Sequence, residues 1–132
     1  MRLKYIHNLD EISQIELNEW YQICDILFFP SLLESFGNPY IEAMATGLPI
    51  CIIALLYARI VCETAALYFK KDVVEDAVKK IIRLQNSEYR SRLINKGKVV
   101  FESFPDTEET VLKFISLAES CVAVKETKSK QK

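Results

Sequence analysis

Two carboxylates and a glycine surround what reads as the start of a helix. Glu34 is followed by Ser35, Phe36, Gly37 and Asn38, then Pro39, and seven residues separate Glu34 from Glu42. Gly37 lets the backbone come close to a ligand. Pro39 suits the first helical position, where a missing N–H is no loss. The free N–H groups of such a helix start favour phosphate. Carboxylates beside a phosphate repel it, so they call for a neutral partner, and sugar hydroxyls are the natural one. Glu42, one turn into the helix, can accept two hydrogen bonds from a vicinal diol such as a ribose 2′,3′ pair, and Glu34 can accept one from a hexose hydroxyl. The chemistry implied is the holding of a nucleotide-diphosphate sugar. The plain alternative is a solvated Glu34 and a Glu42 that only favours the helix dipole.

The flanking sequence supplies the elements that position these residues. Ile26 to Phe29 is a short apolar, aromatic run closed by Pro30 and Ser31, the pattern of a strand buried on both faces. Pro39 to Thr46 reads as a short helix, ended by Gly47 and Pro49. Upstream, Arg2 to Ile6 is expected to be a first strand and Ile12 to Cys24 an amphipathic helix. Downstream, strands are expected at Ile50 to Ile53 and Ala66 to Phe69, with a helical turn at Tyr57 to Cys62 between them. Val73 to Leu84 carries apolar residues at helical spacing, Ser87 is expected to cap a helix reaching about Phe101, and Asp106 one reaching Val124. Alternating strands and helices of these lengths predict an α/β fold, a Rossmann-like parallel sheet with helices on both faces. Ligands of such sheets bind beyond the carboxyl ends of the strands, where residues 30 to 42 fall.

The segment Glu34-Ser35-Phe36-Gly37-Asn38-Pro39-Tyr40-Ile41-Glu42-Ala43-Met44-Ala45, within the run from Asp25 to Ile50, closely resembles the signature of retaining glycosyltransferases of the GT-B fold, the family 4 (group 1) type. The resemblance extends over roughly residues 3 to 120. It implies that Glu34 lies near the donor sugar as the catalytic glutamate, that Glu42 binds the nucleotide ribose, and that Ser35, Phe36, Gly37 and Asn38 bring backbone amides to the diphosphate. His7, the single histidine, corresponds to the family's loop near the nucleotide base, with a solvated loop histidine as its alternative. It also implies a UDP- or GDP-linked hexose as donor, a saccharide or lipid-linked acceptor, and no metal or other cofactor. Only the later part of the family's second half is matched. The chain is therefore expected to be the partial C-terminal donor-binding domain, inactive alone, with the N-terminal half or a partner chain required and homo-oligomers an alternative. It departs from the family at Ala54, Leu56, Ile60, Glu63 and Lys70-Lys71, in loops near the donor cleft, which suits a non-catalytic remnant or interaction module of the same fold as the second reading.

Composition fits one globular domain over residues 1–124: the chain has 132 residues, 50% of them hydrophobic, and 17 Lys and Arg balance 18 Asp and Glu. That balance gives no footing for nucleic acid. Cys24, Cys51, Cys62 and Cys121 show no paired spacing, so buried reduced thiols and a cytoplasmic location are expected rather than a zinc site. No signal peptide is recognised, and the apolar stretch from Ile50 to Ala58 is far shorter than the about 20 residues a membrane span needs. Residues 125–132 read as a disordered, Lys-rich tail, whose charge gives it a means of touching an anionic inner membrane surface.

Overall fold

Ser13, standing three residues before Glu16, starts the first helix by a capping box. Its side chain accepts the Glu16 N–H, and the Glu16 carboxylate accepts the Ser13 N–H at 2.8 Å. Helix α1 accordingly runs Gln14–Ile23, which leaves Ile12 outside it. In this computed structural model residues 5–34, 37–106, 108–113 and 115–116 are described. They fall in two units, Met1–Phe101 and Glu102–Lys132.

In the first unit β1 (Leu27–Phe29), α2 (Asn38–Thr46), β2 (Ile50–Ile53), α3 (Leu56–Cys62), β3 (Ala66–Phe69), α4 (Val74–Arg83) and α5 (Ser87–Glu102) follow α1. The strands form a parallel sheet in the order β1-β2-β3, with Leu27 opposite Ile50 and Ile50 opposite Ala66. This is the α/β architecture expected from the strand and helix alternation. The sheet has three strands among the described residues, not four. Tyr5 and Ile6 are in a turn and an irregular segment and are exposed, and Arg2 to Lys4 lie outside the described residues.

Period-two alternation divides the sheet's side chains between two helical layers. Cys51, Ile53, Leu67 and Phe69 point to one face and cluster with Ala77 of α4 and Leu84 and Leu93 around α5. Phe28 joins that face by stacking on Phe69, with ring centroids 5.2 Å apart. On the other face Phe29 meets Tyr40 of α2 edge-on, and the Tyr68 hydroxyl bonds to the Ala58 carbonyl of α3. All four residues of β2 are buried, as a central parallel strand covered on both sides must be. Helix α1 packs against α2.

Helix boundaries follow local chemistry. Asn86, not Ser87, caps α5: its side-chain oxygen accepts the Tyr89 N–H at 2.8 Å, which places Ser87 inside the helix. Gly47, left-handed at φ 74°, closes α2 as expected, and the Leu48 N–H reaches back to the Ala43 carbonyl at 2.8 Å. In the second unit Asp106 caps the last described helical stretch by accepting the Glu109 N–H at 2.7 Å. The expected course of that helix beyond residue 116, and the tail at 125–132, lie outside the described residues. Cys51 and Cys62 are buried, and burial pushes their thiols up to about 11 and about 12, so both are neutral at physiological pH. Cys24 is exposed, against expectation, because it follows α1 at the surface instead of entering the strand.

Candidate functional site

The site forms where β1 ends and α2 begins. Gly37 is the N-cap of α2, buried, with the left-handed backbone φ 80°, ψ 30°. A Cβ there would come within 2.8 Å of Cδ2 of Tyr40. Both the backbone angle and the space therefore require glycine. Pro39 occupies the second helical position, one later than expected; the first four N–H groups of a helix lack partners within it, so the ring is tolerated there equally well. Gly37 has no side chain to cap the helix, and no acidic residue stands in the first turn of α2.

Tyr40 holds the loop in place. It is 1% exposed, its ring lies edge-on to Phe29 and parallel to Tyr57, and its hydroxyl donates to the Tyr57 hydroxyl at 3.4 Å. Tyr57 in turn donates to the Ser31 carbonyl at 3.5 Å, and the Ser31 hydroxyl donates to the Leu33 carbonyl at 3.1 Å. The three links tie α2, α3 and the loop after β1 into one frame. Burial first, then the bond to Tyr57 and the nearby charge of Glu34, push the Tyr40 phenol far above its ordinary pKa, so it is a permanent donor.

Glu34 is half-buried on this loop, near enough to Tyr40 for its charge to be felt. Glu42 is half-buried on α2 and faces α1. Its carboxylate accepts a long hydrogen bond of 3.4 Å from the Gln14 amide. The Tyr21 phenol, buried at 7% exposure, is pushed up first by its burial and then by the neighbouring Glu42 carboxylate. Gly37, Asn38 and Glu42 are thus brought together on α2, with Glu34 beside Tyr40 on the approach to it. Ser35 and Phe36 lie outside the described residues. His7 is exposed in the irregular segment before α1 and makes no hydrogen bond or ion pair with any described residue.

Tyr21, Gln14, Tyr40 and Tyr57 were not among the expected site residues. No spacing rule links Gln14 on α1 to Glu42 on α2; only the packing of the two helices makes the pair. Among the described residues no group of three or more His, Cys, Asp or Glu side chains is arranged to hold a metal ion. No helix of the described residues is long and apolar enough to cross a membrane.

Residues 4–100 match the family model for glycosyl transferases group 1. A curated relative, alpha-monoglucosyldiacylglycerol synthase of Acholeplasma laidlawii, is 30% identical over 99 residues, covering 73% of this chain and 24% of the relative. Among solved structures, sucrose-phosphate synthase from Thermosynechococcus elongatus superposes with a TM-score of 0.75 at 23% identity, covering 88% of this chain and 30% of that one. The likeness in structure establishes the shared fold. The chain spans about a quarter of the length of the curated relative it matches.

Proposed function

The chain belongs to the group 1 glycosyl transferases, and on that premise we propose that it is the donor-binding part of a retaining enzyme that moves a hexose from a UDP- or GDP-linked donor to a saccharide or lipid-linked acceptor. The observation that carries this reading is the start of α2. A buried left-handed glycine without a side-chain cap opens a helix free of acid in its first turn, and Glu42 stands one turn further in. A diphosphate set against Asn38 would meet the positive end of the helix dipole. Glu42 then lies at the distance of a ribose, and Glu34, with Ser35 and Phe36 leading to Gly37, on the side of the hexose. Electrostatic stabilisation of the departing diphosphate by the helix start is the contribution this chain makes to transfer. His7 sits, on this reading, near the base.

The relative from Acholeplasma laidlawii is named for a glucosylated diacylglycerol, which favours a lipid acceptor, a role in glycolipid or surface-polysaccharide assembly, and work at the cytoplasmic face of a membrane. Residues 1–124 would form the donor domain and 125–132 a Lys-rich tail. Catalysis would require an acceptor-binding half supplied by further chain or by a partner.

NMR titration of the chain with UDP, GDP and their hexose conjugates tests this. Glu42→Ala is expected to weaken nucleotide binding by about 1.5 to 3 kcal/mol, the worth of hydrogen bonds to a charged group. Glu34→Ala is expected to matter for the nucleotide sugar and little for the bare nucleotide. Equal losses from both substitutions with the bare nucleotide would overturn the division of roles. No binding by the unmutated chain would favour a non-catalytic module, the reading that Ala54, Leu56 and Ile60 suit.

A further inference from the structure

We propose that a basic pocket at the amino end of β3 binds a phosphate group, at a site separate from the start of α2. The pocket is a cavity of about 280 Å³ between the last turn of α4, one face of α5 and the residues that lead into β3. The strands are parallel, so the start of α2, which follows the carboxyl end of β1, belongs to the opposite end of the sheet. Three cations line the cavity. Arg92 and Lys96 stand one turn apart on α5, and Arg83 comes from the last turn of α4. Tyr89 and Leu93 share the α5 face with them at helical spacing, and Leu93, buried in the core, fixes that face toward the cavity. Ala66, the first residue of β3, brings only a methyl group, which leaves the space open.

This arrangement works against the fold unless something negative occupies it. Like charges one turn apart on a helix repel each other. Arg83 complements the negative end of the α4 dipole, but Arg92 and Lys96 stand in the middle of α5, where no helix end explains them. Among the described residues Arg83 and Lys96 form no ion pair. Arg92 meets Glu88 at 3.8 Å with both side chains exposed, a contact that solvent screens. Arg83 is also set in place before any ligand arrives: its Cζ lies 4.0 Å from the centroid of the Tyr89 ring. A guanidinium stacked by its face keeps its N–H edge free, and that planar fork matches two oxygens of a phosphate. Lys96 adds a point charge, and the exposed Thr64 a neutral hydroxyl donor. The volume falls just under the ~300 Å³ at which small-molecule pockets begin, which suits a phosphate on a short organic body and not a whole nucleotide sugar. Such a group is carried by small soluble phosphate esters and by anionic phospholipids alike.

Two measurements on the full chain test the site and separate those sources. One is NMR titration with inorganic phosphate and with glycerol 3-phosphate at fixed ionic strength. The other is co-sedimentation with phosphatidylcholine vesicles made with and without phosphatidylglycerol. Saturable shifts are expected at the backbone amides of Thr64, Tyr89, Arg92 and Lys96. Arg83→Gln is expected to weaken binding about tenfold and Lys96→Gln about threefold. Lys98→Gln, on α5 but outside the cavity, is expected to leave it unchanged. All three positions are exposed, so the substitutions do not threaten the core. Sedimentation with phosphatidylglycerol that falls with Arg83→Gln and not with Lys98→Gln assigns the phosphate to a lipid headgroup. Binding of the soluble probes without such sedimentation assigns it to a free phosphate ester. The proposal is overturned if the soluble probes shift only Gly37 and Asn38 of α2, or if all three substitutions weaken binding alike, as a general positive field would. It is overturned equally if neither the probes nor the vesicles show binding that depends on Arg83.

Discussion

Helices α1 and α2 lie side by side and begin in opposite ways. At α1 the start closes on itself. Ser13 and Glu16 exchange hydrogen bonds, and the bonds from the Ser13 backbone and then its hydroxyl hold the Glu16 carboxyl below its ordinary pKa. At α5 Asn86 does the same work with one side-chain oxygen. At α2 a glycine in a left-handed conformation replaces the cap, and a proline follows in the first turn. A capped start satisfies its N–H groups with the chain's own atoms, while an uncapped one leaves them for something outside. The difference assigns the starts of α1 and α5 to architecture and the start of α2 to binding. Glu42 then joins the two helices, since it accepts from Gln14 of α1, which packs against α2.

The comparison breaks first at Tyr40. Tyr40→Ala removes a fully buried ring that rests on Phe29 and Tyr57, and is expected to destabilise by about 3 to 5 kcal/mol, read as a shift in the urea midpoint. A loss below about 1 kcal/mol would mean that the loop frame does not depend on it. Gly37→Ala comes next. Strain of a non-glycine residue at φ 80° and the approach of its Cβ to the Tyr40 ring add up to an expected loss of about 2 to 4 kcal/mol, together with loss of nucleotide binding. A stable Gly37→Ala chain would show that the left-handed start is dispensable. Glu42→Ala follows, with its effect of about 1.5 to 3 kcal/mol on ribonucleotide affinity and a smaller one on stability. The smallest is at the closed start of α5. Asn86→Ala is expected to cost about 1 kcal/mol of stability and to leave nucleotide affinity as it was. A change in affinity there would end the distinction between closed and open helix starts.

Much of this architecture is legible in residue order. Leu27–Phe29, Ile50–Ile53 and Ala66–Phe69 announce themselves as strands because each is a short apolar run bounded by turn residues, and a central parallel strand has no polar face to display. Gly47 ends α2 by the left-handed geometry that its type allows. Where expectation slipped, neighbouring groups of similar chemistry competed. Asn86 and Ser87 are both good caps, and the choice rests on which oxygen meets the Tyr89 N–H. A strand is expected over Arg2 to Ile6, but Tyr5 and Ile6 stand in a turn and an irregular segment, since strand structure depends on pairing with a segment elsewhere in the chain.

For the site, the sequence by itself determined the residue types: two glutamates with seven residues between them, the glycine and proline in that interval, and the strand and helix on either side. These follow from local rules, because turn, cap and helix chemistry act over a few residues. Tertiary structure alone decided what each group faces. Glu42 meets Gln14, 28 positions away; Tyr40 meets Tyr57, and Tyr57 the Ser31 carbonyl 26 positions back. Such pairs are set by how α1 and α3 pack around α2, and packing depends on the shapes of all the buried side chains at once, which no spacing along the chain records.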